Sequence, residues 1–160
     1  MNLIKHILVP TDCSDLSRKA VEYAITLAKS LNAKITLFTV SNETVRMCVS
    51  EYSYVPEEIF QRVLKDHAKS QEKQLSNFWS QFDHMGVEVN LVRWDGDPFH
   101  QIICFAKNSD VDIIVMGTHG RTGIQHILMG SVAEKVIRYS PFPVLTVKDK
   151  DHPYKPLTHD

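Results

Sequence analysis

Four of the six glycines in the chain, Gly117, Gly120, Gly123 and Gly130, fall in one stretch running from Met116 to Val132. His119, Arg121 and His126 stand among them, and Ser131 follows the last. Residue types in this pattern suit the binding of an anion. Lacking a Cβ, glycine lets the backbone take positive φ and come close to a ligand. The first N–H groups of a helix have no partner within it and donate readily to phosphate oxygens. The apolar run Ile113-Ile114-Val115-Met116 reads as a buried strand, and a helical pattern opens at Ser131. Strand, glycine loop and helix start together form a candidate phosphate cradle.

The pattern is neither of the common phosphate fingerprints. No Gly-Lys pair followed by Ser or Thr is present, and the glycines do not spell GxGxxG after a strand. What stands there is Gly117-x₂-Gly120-x₉-Gly130-Ser131. Plainer roles compete at each position. Ser131-Val132-Ala133-Glu134 also spells a capping box, in which Ser131 and Glu134 satisfy the helix's own amides. Arg121 is either a phosphate clamp or a solvated loop arginine. Asp12, in Pro10-Thr11-Asp12, is either a polar ligand group or a residue favoured by the positive end of a helix. His119 and His126 have no recognised ligand spacing, so no metal is assigned to them. Cys13, Cys48 and Cys104 form neither CxxC pairs nor a disulfide framework and are read as reduced thiols. Cys13 adjoins the expected pocket, as a small packing residue or as a thiol activated by a helix start.

These residues need elements to position them. Ile4 to Val9, stopped by Pro10, suits a first buried strand, and Ser14 suits the cap of a helix that Asn32 closes. Ile35 to Val40 reads as a second strand, and Ser41 to Pro56 as a long connection without a period. The apolar residues between Glu57 and Met85 predict one long helix over that span, ended by Gly86, its polar middle, Lys65 to Gln74, standing in solvent. Val87 to Trp94 follows as a third strand. Asp95-Gly96-Asp97-Pro98 then turns into a helix reaching Asn108, with Pro98 in its first turn. Asp112 to Met116 is the fourth strand, Ser131 to Tyr139 the last helix and Val144 to Val147 a fifth strand. Alternating strands and helices imply right-handed βαβ units and an open parallel sheet with helices on both faces. In such a sheet ligands bind beyond the carboxyl ends of the strands where strand order reverses. If the first and fourth strands are neighbours, Pro10, Thr11 and Asp12 face Met116 and Gly117 across that crevice, with Val40 close by.

At 160 residues the chain is read as one domain, residues 1–148, with a flexible tail at 149–160. A net charge of −1 offers no field for nucleic acid or an anionic membrane. No stretch reaches the roughly 20 apolar residues that span a bilayer. Met1 to His6 runs straight into a strand pattern without the regions of a signal peptide, so a cytoplasmic location is expected.

Several fragments in fixed order carry a family likeness: Ile7-Leu8-Val9-Pro10-Thr11-Asp12 with Ser14, Gly96-Asp97-Pro98, Ile113 to Gly117, the glycine loop with Ser131, and Pro143-Val144-Leu145. Together they resemble the universal stress protein family, specifically its ATP-binding branch. The resemblance leaves out Ser41 to Glu58 and the tail. It implies a Rossmann-like, five-stranded parallel sheet in the order 3-2-1-4-5, which supplies the adjacency of strands one and four. Asp12 and Val40 would then meet adenine and ribose, and Gly117 and Gly120 would line the ribose and phosphates. Gly130, Ser131 and Val132 would hold phosphates through backbone N–H groups and the Ser131 hydroxyl. A carboxylate about 5 Å from a phosphate charge would cost about 3 kcal/mol at an effective dielectric near 20, so Asp12 suits the sugar and base better. The same resemblance implies Mg²⁺ or Mn²⁺ held through the phosphates, and a homodimer formed along Val144 to Val147.

Function follows as an expectation: an ATP-binding, nucleotide-responsive regulator of stress survival. One alternative is a slow ATPase or phosphoryl-transfer enzyme in the same pocket, for which His119, Arg121 and a metal are the visible groups. The other is a dimeric interaction protein with no use for nucleotide.

Overall fold

A computed structural model of the chain describes residues 4–41, 56–118 and 129–148. The strands are β1 (His6–Pro10), β2 (Lys34–Ser41), β3 (Val89–Asp95), β4 (Ile113–Gly117) and β5 (Val144–Val147). The helices are α1 (Asp15–Leu31), α2 (Glu57–Trp79), α3 (Pro98–Asn108) and α4 (Ser131–Tyr139). All strand pairs are parallel, and the sheet order is β3-β2-β1-β4-β5. The doubly wound α/β architecture and its switch point between β1 and β4 are therefore as expected.

Side chains alternate between the two faces of the sheet, as a pleated strand requires. Ile7 and Val9 of β1, Ile35 and Leu37 of β2 and Val115 of β4 meet Val21, Ala24, Ile25 and Ala28 of α1 and Leu75, Phe78 and Trp79 of α2. On the other face Leu8, Phe38, Ile114 and Met116 meet Ile102 and Ala106 of α3 and Ala133 and Val136 of α4. Each fully buried Leu, Ile or Phe contributes about 1.5–3 kcal/mol of transfer free energy, which makes β1, covered on both faces, the natural centre of the core.

Local signals act as their chemistry dictates at several ends. Asn32 closes α1 in the left-handed region at φ 50°, and Asp97 caps α3 by accepting from the His100 N–H at 3.0 Å, with Pro98 in the first turn.

The helix expected to run from Glu57 to Met85 instead ends at Trp79. Beyond it the apolar residues pack as a folded turn: Phe82 meets Phe78 edge-on at 5.2 Å, and His84 stacks on Trp79 at 4.6 Å. Met85 and Gly86 then reverse the chain at φ 48° and 72°. In the first half of α2 the helical period does not mark burial, since Ile59 and Val63 are 52% and 40% exposed.

Pro10 does not stop β1; it is the strand's last residue, in register with Phe38. The 42–55 part of the long connection and the 149–160 tail lie outside the described residues.

Candidate functional site

Pairing between the two central strands stops where the expected site lies. β1 stays in register with β2 through Pro10↔Phe38, and Thr11 N–H continues the ladder to Phe38 O at 2.8 Å. Against β4, however, β1 is paired only at Ile7↔Ile113 and Leu8↔Ile114. Backbone groups of a parallel strand point alternately to its two neighbours. Because Thr11 N–H points to β2, the nitrogen of Pro10 points toward β4, and it has no hydrogen to donate. Proline at this place leaves no unsatisfied donor on the side of β1 that faces β4.

Past Pro10 the chain turns sharply through Cys13, a non-glycine residue at φ 59°. Hydroxyl groups hold the turn. Ser17 Oγ–H donates to Ser14 O at 2.8 Å, so at the 2.9 Å contact with Ser17 it is Thr11 Oγ1 that donates. Thr11 Oγ1 also accepts from Cys13 N–H at 3.0 Å. Asp12 Oδ1 accepts from Ser14 N–H at 3.0 Å and from the Ser14 hydroxyl at 2.6 Å. Ser14 sits at the N-cap of α1 as expected, but its hydroxyl makes no capping bond and orients Asp12 instead. The Cys13 side chain packs against the α1 face of the core.

On the opposite lip, Gly117 pairs with Val147, and buried Thr118 donates its N–H to Val147 O at 3.2 Å. Thr118 O accepts from Gly130 N–H at 2.7 Å. That single bond brings the end of β4 against the start of α4. Gly130 is the N-cap of α4, at φ −69° and ψ 146°, with no side-chain cap. Intrahelical bonding begins with Glu134 N–H to Gly130 O at 2.9 Å, so the N–H groups of Ser131 and Val132 have no acceptor within the helix.

Two expectations are corrected here. Ser131 is the first helical residue rather than the cap, and the Glu134 carboxylate pairs with Arg138 at 3.3 Å, so no capping box forms. Gly130 does not use positive φ, and its own N–H is taken by Thr118.

Pro10, Thr11, Asp12, Gly117, Gly130 and Ser131 thus stand at the carboxyl ends of the neighbouring strands β1 and β4 and at the start of α4. Val40, half-buried at the end of β2, packs into the α3–α4 face. The side chain of Met116 is buried in the core, and that of Val132 packs against it, which leaves both only backbone groups to offer. Gly120, Arg121, Gly123, His119 and His126 lie outside the described residues. Among the described residues no cluster of three or more His, Cys, Asp or Glu could hold a metal ion, and no helix is long and apolar enough to cross a membrane.

Sequence reasoning missed Thr118, hidden among the glycines, and the orienting role of Ser14. It also missed His6, a buried residue at the opposite edge of the sheet. The His6 Nδ1–H donates to Asp110 O at 3.1 Å, and Nε2 accepts from Thr36 Oγ1–H at 2.8 Å. Burial, then the Lys34 ammonium, hold this imidazole below its ordinary pKa, against the opposing pull of Asp110 and Asp112.

Comparison with known proteins agrees with this architecture. The model of the universal stress protein family matches residues 3–148. Universal stress protein MJ0531 of Methanocaldococcus jannaschii is 36% identical over 148 residues, covering 92% of this chain and 84% of that protein. The solved structure of MJ0577, from the same organism, superimposes with a TM-score of 0.77 at 29% identity, covering 94% of this chain and 99% of the other. A universal stress protein crystallised in complex with cAMP superimposes with a TM-score of 0.59 at 25% identity, covering 92% and 98%. With the family model spanning nearly the whole chain and the sheet order and switch point in place, this chain belongs to the universal stress protein family.

Proposed function

We propose that this protein binds ATP in the opening between β1 and β4 and serves as a nucleotide-responsive regulator of stress survival. The observation that carries the reading is the bond from Gly130 N–H to Thr118 O, which sets the start of α4 beside the end of β4, the strand next to β1. Phosphate oxygens are taken up there by the Ser131 and Val132 amides, assisted by the helix dipole. Asp12, held by Ser14, accepts from ribose hydroxyls or the adenine amine, and Val40 receives the base. Gly117 and Gly120 let the ligand approach closely, and Arg121 adds positive charge at the phosphates. Mg²⁺ or Mn²⁺ is held mainly by phosphate oxygens. Support for an adenine ligand comes from the family member crystallised with cAMP. In this reading residues 1–148 act as one cytoplasmic domain that dimerises along the β5 edge, where Leu145 is partly exposed.

The test is to release small molecules from the purified protein by heating, chromatograph them, and then titrate ATP by calorimetry with and without Mg²⁺. A saturable heat of ATP binding is expected. An empty pocket together with no heat in either titration sinks the reading. Rapid phosphate release, abolished by Gly130→Val, would replace a regulator by an enzyme.

A further inference from the structure

The carboxyl ends of the central strands are uneven. β1 and β2 part after Pro10↔Phe38, whereas β2 and β3 remain paired to Ser41↔Asp95. Thr39, Val40 and Ser41 therefore overhang β1, with a strand neighbour on the β3 side only. Val40 turns its side chain to the α3–α4 face, and alternation sends the buried Ser41 side chain to the α2 face. There it meets one residue of α2. Gln71 Nε2–H donates to Ser41 Oγ at 3.0 Å, and Gln71 Oε1 accepts from Arg93 Nε–H at 2.8 Å. The guanidinium of Arg93, only 10% exposed, also makes a two-pronged pair with the Asp95 carboxylate. Gly96 N–H closes the ring by donating to Ser41 O at 2.9 Å.

We propose that Gln71 is a positioning residue for the base-binding end of the site, fixing the overhang at Val40 through Ser41. The proposal rests on the reading that ATP occupies the cleft with its base at Val40. Gln71 lies in the polar middle of α2, before the helix reaches the core at Leu75. A residue there with no other task would be a solvated helix former. Gln71 instead spends both ends of its amide on the sheet, one on the overhanging β2 end and one on a nearly buried cation of β3. Leucine has a similar volume but makes neither bond, so it would leave Ser41 Oγ and Arg93 Nε without this partner. Glutamate restores both bonds, accepting from Arg93 Nε–H and from the Ser41 hydroxyl.

The experiment titrates AMP, ADP and ATP into the wild-type protein, Gln71→Leu and Gln71→Glu by calorimetry, well below each melting midpoint. A group that positions the base end affects all three nucleotides alike. Gln71→Leu is therefore expected to weaken AMP, ADP and ATP by one common factor of about five- to tenfold, and Gln71→Glu to return most of it. A loss that grows with the number of phosphates, or no loss, overturns the proposal while leaving ATP binding intact. A wild-type protein that binds none of the three overturns the ATP reading and this inference with it. Should Gln71→Leu fail to fold, Ser41→Ala removes the same contact from the strand side. The common factor is then expected from that variant, and its absence is equally fatal.

Discussion

Gly130→Val separates folding from binding more cleanly than any other change at the site. At φ −69° and ψ 146° the Gly130 backbone lies in a region open to every L residue, so valine there introduces no backbone strain. The change from glycine to valine as an N-cap costs about 1 kcal/mol or less. For a chain of this length that lowers the melting midpoint by about 2–4 °C. The hydrogen bond to Thr118 O uses the backbone N–H and survives the substitution. If ATP binds as proposed, the new branched side chain obstructs the approach of phosphate to the Ser131 and Val132 amides. A hydrogen bond to a charged oxygen contributes about 1.5–3 kcal/mol, so each phosphate contact displaced weakens ATP by about 10- to 150-fold. Calorimetric titration of ATP, run beside thermal melting of the same sample, reads both effects. The expected result is a small melting shift with at least tenfold weaker binding, and a lesser loss for Gly130→Ala. If the valine variant melts as expected and binds ATP like the wild type, the backbone at Gly130 does not approach phosphate and the glycine is only a turn.

Three further outcomes follow from the same geometry. Phe38 is fully buried and meets Phe105 and Trp94 at 4.9 and 5.5 Å, so Phe38→Ala is expected to cost about 3–5 kcal/mol in urea unfolding, whereas half-exposed Tyr23→Ala costs little. Asp12→Ala removes the acceptor of both Ser14 bonds and is expected to lower stability by about 1–2 kcal/mol, with Asp12→Asn losing less; equal losses from the two would show that these bonds do not hold the turn. For His6, the native state binds fewer protons than the unfolded chain, because its pKa is held below the ordinary 6.5. Stability from the neutral imidazole is thus full above pH 6.5 and falls as pH drops from there through the lower native pKa. His6→Gln should flatten this slope in urea unfolding at successive pH values, and an unchanged slope would assign it to other groups.

Much of the architecture was readable residue by residue. Strand runs such as Ile113 to Met116 and the amphipathic period of α1 are local properties, and so are the Asn32 closure and the Asp97-Pro98 start. The end of α2 was not readable, because the apolar period continues smoothly from Phe78 to Met85. The residues past its end are met by distant ones: Arg18 of α1 sits over the Phe82 ring at 4.9 Å, and Lys29 of α1 donates to Met85 O at 2.8 Å. Hydroxyl roles were equally hidden. Ser14 and Ser131 each stand where a capping serine belongs, yet one turns to Asp12 and the other sits a residue inside its helix.

At the site itself, the chain's own order of residues determined that a glycine-rich loop joins a buried strand to a helix, and that Asp12 follows a strand end. Both facts depend on neighbours a few positions apart. That β1 lies beside β4 came from family resemblance and is seen in the sheet order. Tertiary structure alone decided that the hydrogen-bonded pairing of these two strands ends at Leu8 and Ile114, that the Pro10 nitrogen faces β4, and that the β2 overhang is held by Gln71. Each of these joins residues tens of positions apart in the chain. No spacing along a sequence encodes which backbone will stand opposite another once two faces of a sheet have been packed.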